Sequence, residues 1–575
     1  MAQLDRPQKE RWEARLLYAA LLLFVVCRAL RPMAETDLFF HLKLGDIIVS
    51  QHTIPFRNLF SFTFPSHPDL DLSWAFQALV SLCYRADGFA AIVVLKVGCV
   101  ALTVVLVHHA GRRLGGSPAA AAAATALAIV TAEPRLVERP HLITFLGLGL
   151  VSCLLVAVRH CRRCLWLAPP LVLLWANFHA GVFLGVAVLL LDRLTAKLTG
   201  NDTSGWGELL GVSSLTAAAT LLTPAGLKLP VYLLWHLRLG GIRNIEEFRS
   251  ADPYNDAWFF VLLALCACGA LLLRRAHLRL IVPVLLVAVL AWRSVRFVAE
   301  WAWLAAPFLA LSLDRFAQGL APLLSARTVQ LAMTGLLFFG AGRERLQHPT
   351  ALALSADVVP FSAIRFVTAH GLRARLYHDL DVGCYLLWEG WPRYQVFQDA
   401  RLPAYPDSFH RALDETPLAA DAFGRLLDAY GVDAALLDYP DINMRAGSFE
   451  PNQWALVYRQ EDALVFARRI PRHAEVIARY EIPLQVRFRF AGGASVDSLP
   501  RPPAGSPIPQ CEWDDRLAAA WAAEERPDRT LAARLAAVEH GCLTLEDVRR
   551  EYGKSGAKEP GPPAVPSARP RGKAG

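Results

Sequence analysis

The sequence predicts an α-helical polytopic membrane protein with about 11 spans, a C-terminal extramembrane α/β domain and a short helical tail. Three observations carry that prediction. The chain of 575 residues is 54% hydrophobic and only 19% charged, with a mean hydropathy of +0.32, too apolar for a soluble protein of this length. Apolar runs recur throughout residues 16–345 at close to the length that a bilayer crossing needs. From about residue 355 those runs shorten and charges become frequent.

Residues 1–15 (MAQLDRPQKERWEAR) are polar, with no cleavable signal, so the first span reads as an uncleaved anchor. Candidate spans fall near 16–33, 89–109, 118–132, 142–158, 164–177, 180–194, 208–223, 257–273, 278–292, 297–313 and 328–341. A first outer loop covers 34–88, and its segment 74–86 reads either as a further span or as a half-buried part of that loop. Charge gives the orientation. With residues 1–15 cytoplasmic, the inner turns hold Arg112 and Arg113, then Arg159, Arg162 and Arg163, then Arg193 and Lys197, then Arg274, Arg275 and Arg279, then Arg315 and Arg327. That pattern puts the first loop, and everything after about residue 343, on the outer side. A span at 74–86 would invert the later part.

The net charge of +8 follows from Lys and Arg gathered at the cytoplasmic face and gives no reason to invoke nucleic acid. Most of the 11 cysteines, such as Cys27, Cys99, Cys153, Cys266 and Cys268, sit in apolar stretches as small buried residues. Cys161 and Cys164 form a lone C-x-x-C in an Arg-rich turn, without the second pair that a metal site needs.

Residues 350–470 read as the α/β domain. AIRFVTAHG and DAFGRLLDAYG suit helices; ARLYHD, RYQVFQD and VDAALLD suit short strands; WALVYRQEDALVFARR suits a hairpin. The domain has neither G-x-G-x-x-G nor a P-loop, which removes the usual signals of a nucleotide site. A Pro/Gly linker follows over 471–512, then a helical segment over 513–553 and a disordered tail over 554–575.

Polar residues collect at the outward ends of the spans beyond what topology asks. They are Glu35, Asp37 and His41; Glu133, Arg135, Glu138, Arg139 and His141; Asn177 and His179; Glu246, Glu247 and Arg249; and Arg293, Arg296 and Glu300. Ionisable groups near membrane depth are costly and face a cavity or one another, so these segments are expected to converge beneath the first loop; for Arg135 and Arg249 the plainer reading is interfacial snorkelling. That loop opens with the acidic pair Glu35 and Asp37. An aromatic amphipathic run (Leu38, Phe39, Phe40, Leu42, Leu44, Ile47, Ile48) follows, with the pattern of a helix lying on a membrane surface.

The loop also contains D-x-x-x-H-L-x-x-G (Asp37, His41, Leu42, Gly45), I-P (Ile54, Pro55) and F-S-F-T (Phe60, Ser61, Phe62, Thr63). In these features the chain resembles the GT-C superfamily of membrane glycosyltransferases, which includes the protein O-mannosyltransferases and the lipid A aminoarabinose transferases. It resembles in more detail a largely uncharacterised set of bacterial multi-pass proteins. WANFHAG (175–181) and VFQDARLPAY (396–405) resemble that same set, with Ala400 where a Gly is usual.

The resemblance implies a GT-C-like core in a bacterial inner membrane, with the C-terminal domain periplasmic. It implies inverting hexosyl or pentosyl transfer from a polyprenyl-phosphate donor to a glycan, lipid or protein acceptor. Such chemistry needs a carboxylate to take the acceptor proton and cations to hold the departing phosphate. Asp37 is the expected base or acceptor-binding group, with Glu35 orienting it or binding the acceptor. Arg139, Arg293 and Arg296 are the expected phosphate ligands, and His41, His141, Asn177 and His179 the expected lining. In the outer domain Asp399, Arg401 and Tyr405 are candidates, with an Asp399–Arg401 structural pair the plainer reading. For Glu35 and Asp37 the plainer reading is helix capping. No residue is assigned to a metal, although a divalent ion on His41 with His141 or His179 is chemically open. Two other functions fit the same pattern: a non-catalytic GT-C-fold scaffold in cell-envelope polysaccharide assembly, and a lipid or polymer transporter.

Overall fold

The computed structural model describes residues 6–200, 206–231, 246–273, 277–320, 325–348, 352–415, 422–438, 445–460, 463–482 and 510–523, with a few positions beyond. The helices, in chain order, are α1 (Arg6–Ala29), α2 (Asp37–Gln51), α3 (Trp74–Arg113), α4 (Pro118–Ala132), α5 (His141–Val158), α6 (Ala168–Ala176), α7 (Val182–Leu198), α8 (Trp206–Ala219), α9 (Ala257–Leu273), α10 (Leu278–Arg293), α11 (Val298–Leu320), α12 (Ala326–Gln347), α13 (Phe361–Ala369), α14 (Leu380–Gly390), α15 (Asp407–Glu415), α16 (Ala422–Ala429), α17 (Ala474–Tyr480) and α18 (Gln510–Ala523). The strands are β1 (Leu376–Tyr377), β2 (Ala434–Leu437), β3 (Trp454–Gln460) and β4 (Ala463–Arg468).

The chain divides into two units. One joins Met1–Val359 to His378–Leu418, and the other joins Pro360–Tyr377 to Ala419–Gly575. In the second unit the four strands form one sheet in the order β1-β2-β4-β3, with β1 parallel to β2 and the other pairs antiparallel. Phe366 of α13 packs on Tyr458 and Tyr480, and Phe449 stacks on Phe466. RYQVFQD, expected as a strand, is no part of that sheet. It belongs to the first unit, where Val396 makes a single parallel bridge with Ser61 of the first loop.

The first unit is a helix bundle around a long apolar core that includes Trp175, Trp301, Trp303, Phe145 and Phe308. Among the described residues three helices are long and apolar enough to cross a membrane: Trp74–Arg113, His141–Val158 and Val295–Gly319. Ala257–Leu273 is apolar but shorter.

Two features set which ends of the helices share a side. First, α3 runs through segment 74–86 and kinks at Asp87 and Gly88, where Gly88 has φ +57°. The part before the kink is about 13 residues, or ~20 Å of helix, short of the ~30 Å a bilayer core requires. Second, α1 and α12 lie parallel. Glu13 pairs with Arg327 at one end of the pair, while Arg28 pairs with Glu344 and Arg345 donates to the Leu30 carbonyl at the other. Met33 then bridges to Leu354. The chain therefore leaves α12 at the same end of the bundle at which it leaves α1.

Candidate active site

The site begins at the turn between α1 and α2. Thr36 is the N-cap of α2, yet its side chain does not cap. Glu35 does so instead: its Oε1 accepts the Asp37 backbone N–H at 3.1 Å. Both carboxylates then meet one guanidinium. Arg139, in the turn before α5, lies 2.7 Å from Glu35 and 3.3 Å from Asp37, and contacts Glu247 at 2.5 Å. Arg135 reaches the same Glu247 oxygen at 2.9 Å. Three segments remote in sequence, 35–37, 135–139 and 246–248, thus form one charged cluster in which a single Arg serves three carboxylates.

Burial governs the protonation of this cluster. It pushes the Asp37 carboxyl up to about 7; Arg139 opposes the shift, while Glu35, Asp381 and Glu247 add to it. A buried carboxylate ringed by like charges holds its proton more tightly. Glu247 shows the reverse balance. Burial raises it, but Arg135, Arg139 and Arg296 outweigh that and hold it at about 2. Arg139 stays charged, because Asp37, Glu35 and Glu247 overcome the effect of its own burial. The cluster so combines a firmly ionised carboxylate with one poised to gain or lose a proton near neutrality.

Helix packing seats Asp37 rigidly. Leu38 and Leu42 join Phe76 and Val80 of α3 in an apolar layer. Gly45 allows this approach, since a Cβ there would stand 2.0 Å from the Gln77 carbonyl oxygen. On its other side α2 meets α14, with Phe39 edge-on to Tyr385 at 5.1 Å and tilted against Trp388 at 5.3 Å. His41 lies on the buried face against Phe76, and its Nδ1 has no hydrogen-bond partner among the described residues.

The other expected residues are placed as follows. His141 is buried in the first turn of α5. Its Nε2 lies 2.6 Å from the Arg135 carbonyl and its Nδ1 lies 3.4 Å from the Arg135 guanidinium. His179 Nδ1 accepts the Gly181 N–H at 3.2 Å and lies 2.7 Å from Thr144 Oγ1, which accepts the Trp175 indole N–H. With Nδ1 accepting, the ring proton sits on Nε2. Asn177 accepts from the Trp74 indole and donates to the Leu173 and Leu222 carbonyls, so its amide is taken up by holding segments together. Arg296 lies over the Phe248 ring at 5.3 Å and its charge acts on Glu247 and His179. Arg293 is exposed in the last turn of α10. Glu133 and Glu138 are ion-paired elsewhere, Glu133 with Arg28 and Arg31, and Glu138 with Lys96 at 2.6 Å.

Asp399, Arg401 and Tyr405 form a second, fully buried cluster. Arg401 grips both oxygens of Asp399 at 2.7 Å, reaches Asp69 at 2.7 Å and Asn58 at 3.0 Å, and lies over Phe60. Tyr405 donates to Asp399 at 2.8 Å. Ser61 and Thr63 both donate to the Phe397 carbonyl. The F-S-F-T motif and the D-A-R–Y motif are therefore two halves of one joint, which fastens the first loop to residues 396–405.

No group of three or more His, Cys, Asp or Glu side chains among the described residues is arranged to hold a metal ion. The histidines make the reason visible, because both ring nitrogens of His141 and Nδ1 of His179 already have partners. The residues that sequence reasoning missed are Thr36 and Asp381. Thr36 Oγ1 lies 2.5 Å from Asp381 Oδ1, joining the start of α2 to the first turn of α14. Only the pairing of two distant helix starts reveals that contact.

No family model and no curated protein matches the chain. Among solved structures it is similar to ArnT from Cupriavidus metallidurans in the apo state, at 13% identity and a TM-score of 0.45, over 80% of this chain and 98% of that one. A structure of ArnT from the same organism bound to undecaprenyl phosphate aligns at 14% identity and a TM-score of 0.42, again over 80% and 98% of the two chains.

Proposed function

We propose that this chain is a membrane glycosyltransferase that moves a sugar from a polyprenyl-phosphate-linked donor to an acceptor on the periplasmic side of a bacterial inner membrane. In this reading the chain crosses the membrane about 11 times, with a GT-C-like core and a periplasmic C-terminal domain. The observation that carries the reading is the Glu35–Asp37–Arg139–Glu247–Arg135 cluster at the end of the bundle where α1 and α12 both finish. It provides a carboxyl that titrates near neutrality beside guanidinium groups fit for a phosphate.

The roles follow from charge. Asp37, ionised, takes the proton of the acceptor group as its heteroatom attacks the anomeric carbon. The bond from that carbon to the phosphate oxygen breaks on the opposite face, so configuration inverts. The polyprenyl phosphate departs with the electron pair, and Arg139 and Arg296 offset the charge it gains. Arg139 exchanges a carboxylate for the phosphate as the donor seats. Glu35 fixes the start of α2 and so the direction of Asp37. Asp399, Arg401 and Tyr405 hold the first loop in place over the site.

The test is transfer of radiolabelled sugar from a panel of polyprenyl-phosphate donors in membranes, for wild type and Asp37→Asn. Asn keeps the shape but takes no proton. A loss of about 10²–10⁴-fold in the variant is expected for a general base. Equal rates would remove Asp37 from the chemistry. Silence of both across the panel, with the protein folded, would favour the non-catalytic scaffold.

A further inference from the structure

The first turns of α2 and α14 face each other, and each presents an aspartate. Asp37 starts α2, and Asp381 is the second residue of α14. The hydrogen bond from Thr36 to Asp381 holds the two turns together. Asp381 has no capping duty that would explain its presence, since Asp379 already caps α14 by accepting the Val382 N–H at 2.8 Å. Its side of the contact is solvent-facing, whereas Thr36 is buried. An acid in the first turn of a helix is favoured by the helix dipole, but here two such turns bring two acids to one place, and like charges at short range repel.

We propose that Asp381 is the positioning residue for Asp37, fixing the turn that carries it through Thr36 and presenting a second carboxylate to it. The inference rests on the glycosyltransferase reading of the site, which it deepens by adding a residue from the segment after the membrane region. Three observations support it. Thr36 immediately precedes Asp37, so a bond that fixes Thr36 fixes the backbone from which the Asp37 side chain leaves. The seat is stiff, because Phe39, Tyr385 and Trp388 lock α2 against α14 behind the contact. Asp381 is also among the groups whose charge raises the proton affinity of Asp37.

The full set of charged and titratable groups around Asp37 keeps this selective. Glu35 comes from the preceding turn and His41 from one turn on. Arg139 comes from the turn before α5, Glu247 from the 246–248 turn, and Asp381 and Cys384 from α14. Arg139 already pairs with Glu35 and Glu247. Asp381 accepts the Thr36 hydroxyl and adds its own negative charge to those that bear on Asp37.

The test separates geometry from charge. Asp381→Asn keeps an oxygen for Thr36 and removes the charge, Asp381→Ala removes both, and Thr36→Val removes the bond alone. Two measurements are read for each: the pH–rate profile of sugar transfer, and the pH dependence of the melting temperature of the purified protein in detergent, which needs no activity. Asp381→Asn should move the acid limb of the rate profile, and the matching step in melting temperature, to lower pH by about half a unit. Asp381→Ala and Thr36→Val should lower kcat about tenfold with KM little changed, the mark of a misplaced group rather than lost binding. An unmoved limb in Asp381→Asn, or full kcat in Asp381→Ala, would overturn the proposal. If no sugar is transferred at all, the glycosyltransferase reading fails, while the melting step still decides the Asp37–Asp381 coupling: a wild-type step near pH 7 that Asp381→Asn leaves in place would overturn it.

Discussion

The Arg139 guanidinium lies 3.3 Å from the Asp37 carboxylate while it also contacts Glu35 and Glu247. One cation thereby restrains three acids drawn from two remote segments. Arg139→Gln should leave those acids in mutual repulsion and destabilise the fold by about 2 kcal/mol. That is less than the ~3–5 kcal/mol of a fully buried pair, because the Arg139 side chain keeps a quarter of its exposure. Thermal unfolding in detergent reads the effect. Melting equal to wild type would mean that Glu247 finds its charge balance in Arg135 alone.

The position of Asp37 on the pH scale gives a second expectation. Its carboxyl is raised to about 7, chiefly by burial. In the proposed role of base it must be ionised, so transfer should climb as pH rises through about 7 and fall away on the acid side. Stability runs the other way. A carboxyl whose folded pKa is raised favours the folded state below its unfolded value near 4, and that contribution is lost as pH rises through 7. Asp37→Asn should abolish both the acid limb and the stability step. Opposite slopes for rate and melting temperature across about pH 5–7 are the signature to look for.

Arg401 gives a third expectation, on stability rather than rate. It is buried with Asp399 and Asp69, and Tyr405 adds a hydrogen bond to Asp399. Arg401→Met leaves two buried carboxylates without their cation and should cost about 3–5 kcal/mol. It should also expose the 58–69 stretch to limited proteolysis, because Asn58 and Asp69 both lose their bond to the Arg401 guanidinium. Unchanged melting together with an intact digestion pattern would show that the Ser61–Phe397 and Phe62–Val396 hydrogen bonds suffice for the joint.

The convergence of Glu35, Asp37, Arg139 and Glu247 was legible in the sequence for a physical reason, whereas Arg135 read as a snorkelling side chain and instead pairs with Glu247. Ionisable groups at the ends of apolar runs must find partners or water, so their positions alone narrow the choice. The F-S-F-T run was legible as a motif but not as a joint, since its partners lie some 335 residues away, as in the Ser61 to Phe397 bond. Asn177 and His179 could be placed near the site, but nothing in WANFHAG reveals that the Asn177 amide ties Trp74 to the Leu222 carbonyl. Asp381 was beyond reach altogether. It sits in an ordinary helix start, and its meaning comes only from the facing turn of α2. Gly45 stands between these cases: its place in the motif is plain, and its cause, the close passage of the Gln77 carbonyl, is structural. Gly45→Ala should therefore cost about 1–3 kcal/mol by overpacking, whereas Gly98→Ala, with nothing within 4 Å of the added carbon, serves as the matched control.

The parallel run of α1 and α12 makes the last expectation topological. Because Glu13 meets Arg327 and Arg28 meets Glu344, the two helices start at one end and finish at the other. The first loop and the residues after α12 then leave the bundle at the same end, and in the proposed topology both are expected on the outer side. Single cysteines in place of the exposed Arg57 and Leu352, in a background cleared of native cysteines, should both react with a membrane-impermeant maleimide added outside intact spheroplasts. A cysteine at exposed Arg113, at the far end of α3, should react only after the membrane is opened. Labelling of 57 and 352 from opposite sides would contradict the helix pairing itself. Labelling of both only from the inside would leave the pairing intact but move the acidic cluster to the cytoplasmic face, where a periplasmic acceptor does not reach it.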